Sequence, residues 1–286
     1  GQYLQADQIN ALKSPTPISE IPQSASILNS DLIALQNLSS MTDISDYVPG
    51  LESGQGEGHR DDILFRGRKS TADFFVDGVR DDVPYYRPLY NVEQVEVLKG
   101  ANALFFGRGG TGGLINRVTK TAQIADNFTN YKLSFDDLGE RSLQLDTNVS
   151  IIPNAALRLN YYKEDLENHR DFYYGENSGF NPTLKSALSD KTVLNVFYEH
   201  LEHERFIDRG IPSQNGAPVS SLVNTTFADT EGHNVSTLNA DVLKINLNHR
   251  LDNQTKLRFN YTDNRYNKLY QNYYVGAYGT SYDSVP

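Results

Sequence analysis

Residues 103–120, ALFFGRGGTGGLINRVTK, contain Gly107-x-Gly109-x-x-Gly112, a spacing that can cradle a pyrophosphate. That chemistry needs a strand before the glycines and a helix after them, so that the helix N-terminus meets the phosphates. The run that follows alternates Leu114, Asn116 and Val118 against Ile115, Arg117 and Thr119, which is the period of a strand. Lys120 also lacks the Gly-Lys-Ser/Thr ending of a P-loop. The glycines are therefore assigned to the backbone and not to a nucleotide. Asp61-Asp62 and Asp81-Asp82 are paired carboxylates of the kind that general acid–base catalysis uses. They sit among arginines, tyrosines and turn residues, and read as solvated loops or salt bridges. His200 and His203 fall on a strand three residues apart, so they point to opposite faces and cannot share a metal from there. Cysteine is absent, which removes thiolate metal sites and disulfides. No enzyme constellation emerges.

Two kinds of element must position these residues. Residues 1–125 are mixed. Ile18–Ala25 reads as a proline-containing segment. Ser30–Leu38 has helical spacing with Ser30 or Asp31 as N-cap, and Met41–Val48 suggests a second short helix closed by Pro49-Gly50. Short strands are expected at Ile63–Arg66, Phe74–Val76, Val95–Leu98 and Leu114–Thr119. Residues 126–286 alternate with period two: Leu143, Leu145, Val149 and Ile151 against Gln144, Asp146, Asn148 and Ser150, and again at 155–162, 243–248 and 257–262. Seven strands are expected, and after the first hairpin short turns alternate with long loops. Tyr161, Tyr162, Phe172, Tyr173, Tyr174, Tyr270, Tyr273 and Tyr274 cluster near strand ends. Short turns on one edge and long loops on the other, with aromatic girdles, fit an outer-membrane barrel; a soluble antiparallel sandwich also alternates. The net charge of −10 over 286 residues and a pI near 5.1 argue against nucleic acid as a partner. No run of 18 apolar residues is present, which leaves strands as the only route across a membrane.

Taken together, "EIPQSASIL", "YVPGLESGQGEG", "DDILFRGRKSTADFFVDGVRDD" and "YNVEQVEVLKGANALFFGRGGTGGLINRVTK" resemble the plug domain of TonB-dependent outer-membrane receptors, and the catecholate type of ferric-siderophore receptor in particular. "DRGIP", Asp208–Pro212, is similar to a segment of the same receptors. The resemblance implies an α+β plug domain inside an antiparallel transmembrane β-barrel. The family barrel has about 22 strands, so this chain is expected to hold the first seven. The implied division is an N-terminal segment 1–19, a plug 20–125 and barrel strands 126–286. No TonB-contacting box is evident before Tyr3. Asn-x-Ser/Thr triplets between Asn37 and Asn260 then read as asparagine-rich polar faces and not as glycosylation sites.

The implied activity is TonB-energised uptake of a ferric siderophore across the outer membrane of a Gram-negative bacterium. The alternatives are another ligand (a corrinoid, another chelate or an oligosaccharide) and a signal-transducing receptor of the same fold. The partners would be the siderophore, TonB with its inner-membrane energising complex, and outer-membrane lipid. Iron would travel in the siderophore, so no cofactor and no protein metal ligand are expected. An anionic, aromatic chelate calls for Arg, Lys and Tyr. Arg68-Lys69 and Tyr85-Tyr86-Arg87 are expected at plug apices facing ligand, with Arg108 as a further contact. By resemblance Arg66 and Lys99 are the cations that lock the plug to barrel glutamates, Lys99 standing where many relatives have Arg. Gly107, Gly109, Gly112 and Gly113 form a close-packed structural turn.

Overall fold

The computed structural model describes residues 24–69, 73–100, 112–225 and 232–273. They fall into two units: residues 24–56 with 60–121, and residues 57–59 with 122–273.

The first unit is built on a sheet of five strands. These are β1 (Ser24–Asn29), β5 (Phe74–Val76), β6 (Val79–Arg80), β7 (Val92–Lys99) and β8 (Gly113–Thr119), in the order β1-β7-β8-β5-β6. β5 runs parallel to β8 and the other pairs are antiparallel. Two helices, α1 (Ser30–Leu35) and α2 (Met41–Asp46), cover one face. Leu28, Ile33, Met41, Ile44, Val48, Val95, Val97 and Ile115 form the core beneath them. A second small sheet joins β2 (Leu51–Ser53), β3 (Ile63–Phe65) and β4 (Arg68–Lys69).

The helices start where the sequence offers a cap. Asn29, and not Ser30 or Asp31, caps α1, its side chain accepting from the Leu32 N–H at 2.9 Å. Ser40 and Asp43 form a reciprocal capping box on α2. Both helices stop short of the apolar pattern that suggested them. Leu38 and Val48 stay buried without being helical. β1 is a strand the sequence reading left out, because six residues of mixed polarity acquire their identity only by pairing with β7.

The second unit is a seven-stranded antiparallel meander. Its strands are β9 (Phe128–Phe135), β10 (Arg141–Ile152), β11 (Ala155–Leu166), β12 (Gly175–Ser189), β13 (Thr192–Phe206), β16 (Val235–Arg250) and β17 (Lys256–Gln271). The loop between β13 and β16 carries a two-residue hairpin, β14 (Ser213–Gln214) with β15 (Ala217–Pro218), closed by Asn215-Gly216 at φ 54° and 80°. Two residues join β10 to β11 and β12 to β13, whereas eight separate β11 from β12.

Burial of the two faces is inverted relative to a soluble sheet. Tyr131, Leu133, Val149, Leu157 and Phe259 are exposed, Tyr131 at 77%. On the opposite face Asn148, Asn160 and Asn181 are at 0%, and Arg158 is buried in an ion pair with Asp146 at 2.7 Å. A sandwich would bury its leucines; this wall presents them, as a lipid-facing surface does. The outward face also changes along each strand. Leu157, Leu159 and Tyr161 give way to Lys163 and Asp165 on β11, and Leu243 gives way to Asp241 on β16. Tyr161 pairs with Phe180, and on β13 and β17 Tyr198 and Tyr261 are likewise the last outward aromatic before charged residues, so an aromatic marks the change on each of these strands. β12, β13, β16 and β17 run 15 or 16 residues, longer than the ~10 a tilted strand needs to cross a bilayer, and the excess is the charged, long-loop end.

Candidate functional site

The charged residues of the first unit separate into a buried set and an exposed set. The buried set is organised by two hairpins and by β8. Asp77-Gly78 turns β5 into β6 with φ 50° and 78°, the primed-turn geometry that Asp-Gly favours. Both Asp77 carboxylate oxygens accept from Thr119, at 2.9 Å from its N–H and 2.7 Å from its hydroxyl. The Gly78 N–H donates to Asn116 Oδ1 at 2.9 Å, and Asn116 Nδ2 donates to Glu96 at 2.8 Å. The Val-Asp-Gly, Val-Glu-Val and Ile-Asn-Arg stretches of the sequence are thus hydrogen-bonded to one another.

β6 leads to Asp81, and the extended stretch after it returns Tyr85 and Arg87 against β8. Arg87 is 3% exposed and all five of its N–H bonds have acceptors. Nε donates to Asp81 at 2.9 Å. Nη1 donates to Asp61 at 3.3 Å and to the Tyr85 carbonyl at 3.1 Å. Nη2 donates to the carbonyls of Asp81 and Val83. The guanidinium lies 3.9 Å from the centre of the Phe74 ring. Asp81 Oδ2 also accepts from the Tyr85 hydroxyl at 2.9 Å and from Arg117 Nη2 at 2.8 Å. Two arginines and two aspartates therefore close a neutral buried cluster.

Its two carboxylates differ in titration. Burial pushes the Asp61 carboxyl up, and Arg87 only partly opposes it. Burial also acts upward on Asp81, but Arg87 and Arg117 outweigh it and hold that carboxyl below its ordinary value. Burial is the largest single influence on Arg87 and opposes its charge, but Asp81, Tyr85 and Asp61 together outweigh it and hold the guanidinium charged.

Arg87 and Tyr85 were expected to face ligand. They are core residues instead, and Arg87 has no donor left over. Tyr86 is half-buried, its hydroxyl 3.5 Å from the Gln55 carbonyl. Arg68-Lys69 is the return strand of a hairpin and not an open apex, and Lys69 reaches Asp62 at 2.6 Å. Of the paired carboxylates, Asp61, Asp62 and Asp81 are buried and Asp82 is exposed.

The exposed set is at the β3–β4 hairpin. Arg66 and Gly67 form its turn at φ 51° and 74°, with the Arg66 side chain in solvent. Lys99, at the end of β7, is held below its ordinary value by partial burial and by the nearby charge of Arg66. Among the described residues neither is in an ion pair. The two cations expected to act as a lock thus stand near one another.

Gly112 and Gly113 are packed as a structural turn requires. A Cβ on Gly112 would lie 2.6 Å from Phe65 Cβ, and one on Gly113 would lie 2.4 Å from the Leu98 carbonyl oxygen. Gly107, Arg108 and Gly109 lie outside the described residues.

On the second unit the two histidines occupy opposite faces. His200 bonds Asp241 at 3.0 Å on the outer face, and His203 is buried against the Tyr162 hydroxyl. Among the described residues no group of three or more His, Cys, Asp or Glu could hold a metal. The sequence reading did not single out Arg117, Asn116 or Glu96 for their roles. Their burial on both faces of β8 and β7 was signalled only by the short, two-sided strands in which they lie.

A small α+β unit followed by a membrane-facing antiparallel wall defines a plug domain with part of a β-barrel. Residues 17–114 match the family model "TonB-dependent Receptor Plug Domain". Along most of its length the chain is similar to TonB-dependent receptors, among them siderophore receptors of the catecholate type. A probable TonB-dependent receptor, BfrD, of Bordetella pertussis is 32% identical over 79% of this chain and 32% of its own length. The catecholate siderophore receptor Fiu of Escherichia coli K12 is 26% identical over 93% of this chain and 37% of its own. The crystal structure of Fiu in its open form superposes with a TM-score of 0.83 at 24% identity, covering 93% of this chain and 42% of that one. That of the siderophore receptor PiuA from Acinetobacter baumannii gives 0.81 at 24% identity, over 92% of this chain and 40% of that one. The chain spans about a third of the length of the curated relatives it matches.

Proposed function

We propose that the protein is an outer-membrane receptor of a Gram-negative bacterium that takes up a ferric siderophore with energy delivered through TonB. The observation that carries this reading is the pairing of a plug fold with a barrel wall whose apolar face is outward, in a chain similar to catecholate siderophore receptors over nearly its whole length. A TonB-type energising complex would act on the segment before β1. Outer-membrane lipid would meet the face carrying Leu157 and Phe259. In this reading Arg66 and Lys99 supply the positive end of a plug–barrel lock, since they stand together without a carboxylate partner among the described residues.

The test is binding of iron-loaded and iron-free catecholate siderophore to the full-length receptor in detergent. Iron-dependent binding, together with growth on that complex under iron limitation that requires TonB, supports the reading. A folded receptor that binds no ferric siderophore, but binds a corrinoid or an oligosaccharide, overturns it.

A further inference from the structure

The DRGIP segment, Asp208–Pro212, has no part in the buried charge cluster. It lies in the second unit, where the chain leaves β13 for the long loop to β16. Ile207 is fully buried, and its N–H donates to the Asn234 carbonyl at 3.0 Å, across the base of that loop. Asn234 is buried too, and its Oδ1 accepts from the Tyr273 N–H at 2.8 Å, just past β17. Asp208 uses both carboxylate oxygens: Oδ1 accepts from the Gly210 N–H at 2.7 Å and Oδ2 from Arg170 Nε at 3.0 Å. Gly210 supplies the φ of 81° at this turn. Arg209 Nη1 donates to the Tyr270 hydroxyl at 2.8 Å, and the Pro212 carbonyl accepts from the Val219 N–H at 3.0 Å at the foot of the β14–β15 hairpin.

Arg170 comes from the other long loop, between β11 and β12. Its Nη1 donates to the Val223 carbonyl at 2.7 Å, so one guanidinium grips the β13–β16 loop both at Asp208 and at Val223. The next residue, Asp171, donates its N–H to the Asn224 carbonyl at 2.7 Å. Phe172 follows at φ 63° with 66% of its surface exposed. A bulky residue rarely holds that backbone. It does so here because Arg170 and Asp171 are fastened before it, while the rings of Tyr173 and Tyr174 pack on Phe206 after it, with centroids 6.5 and 6.4 Å away.

We infer that Arg170 is a clasp that makes the two long loops one mechanical body, so that motion of either is motion of both. Arginine suits this task because its planar fork presents Nε and Nη1 to two acceptors at once, which a lysine ammonium on a flexible stem does not. The pair is sheltered, the Arg170 and Asp208 side chains keeping 13% and 21% of their surface, so it is less diluted by solvent than an ion pair on an open surface. The DRGIP segment gains a task in this arrangement: Asp208 is the catch, Gly210 turns the chain away from it, and Pro212 closes the foot of the hairpin. A protein or ligand that displaces one loop must carry the other with it or break the clasp. The inference holds whatever ligand the protein transports, because it rests on the second unit alone.

The test is hydrogen–deuterium exchange, read by mass spectrometry, on the detergent-solubilised full-length receptor. Heat-modifiable migration on gels reports an intact barrel. Arg170→Ala should speed exchange about tenfold at the Asp171 and Tyr173 amides of the first loop, as loss of a charged hydrogen bond predicts. Exchange at Val219, Leu222 and Val223 of the second loop should rise by a similar factor. Adding Asp208→Ala to Arg170→Ala should change the first loop little further, because the two residues act as a pair. Arg265→Ala, which removes an exposed ion pair with Asp263 on the same wall, should leave both loops as they are. Arg170→Lys, able to meet one acceptor but not both, should fall between. It decides the matter if the alanine variant does not fold, and exchange unchanged from the unmodified receptor would then overturn the clasp. Faster exchange in the first loop with the second unchanged would overturn it as well. So would equal loosening by Arg265→Ala, which would mark the loops as labile for reasons unrelated to Arg170.

Discussion

At the scale of single residues, Arg87 shows how a side chain suited to ligand binding is consumed by structure. Its charge is compensated by Asp61 and Asp81 and its donors are spent on three backbone carbonyls. Removing one partner from a buried ion pair costs about 3–5 kcal/mol, because the other charge is stranded. Arg87→Ala should therefore destabilise the plug by about that amount in a urea titration. Any loss of ligand binding should then disappear under conditions that restore folding. The pH dependence has a definite sign. Asp81 is depressed, so its stabilisation is complete above the ordinary carboxylate range and is lost as pH falls through its lower folded value. Asp61 is raised, so the native state takes up its proton first, and this favours folding over mildly acidic pH. Plug stability should hold or rise slightly from neutral to mild acid, then drop below about pH 4. Asp81→Asn should weaken the plug at neutral pH and flatten that final drop, as followed by chemical denaturation across the pH series.

At the scale of elements, the helices and the barrel strands were legible because their signals are local. The Met41–Val48 pattern announces α2, and period-two alternation announces β10, β11, β16 and β17. Ser40→Ala should cost about 1 kcal/mol through loss of the cap, measurable by thermal unfolding. What the sequence did not disclose depends on distant partners. β1 exists through pairing with β7, whose residues come some 70 positions later. The cluster joins Asp61 to Arg87 across 26 residues and Asp81 to Arg117 across 36. Tyr85 and Arg87 read as apical from the sequence because their long-range carboxylates are invisible there. Arg209 and Tyr270 stand 61 residues apart, so their meeting was equally hidden. The glycine turn was legible for a steric reason: where a backbone approaches Phe65 and Leu98 this closely, only glycine fits. Gly113→Ala should destabilise the plug, and trimming Phe65 as well should not rescue it, because the nearest clash is with the Leu98 backbone carbonyl.

At the scale of the whole molecule, one wall joins a lipid-facing band to a charged rim. A charge set in the middle of that band should cost about 2–4 kcal/mol, whereas the same charge at the rim should cost little. Leu157→Arg should thus impair folding into bilayers, read by heat-modifiable migration after refolding, while Ser178→Arg should not. The two primed hairpins differ in a further respect, chemical ageing. At Asp77-Gly78 the glycine nitrogen that would attack the neighbouring carboxyl donates to Asn116, and both carboxylate oxygens are tied to Thr119. Ring closure to a succinimide has neither a free nucleophile nor a free electrophile there. Asn215-Gly216 has the same turn conformation, but both residues are exposed and open space surrounds Gly216. Over prolonged storage the chain should deamidate at Asn215 and keep Asp77 unisomerised, so this protein would acquire negative charge on its loop while its plug stays chemically unaged.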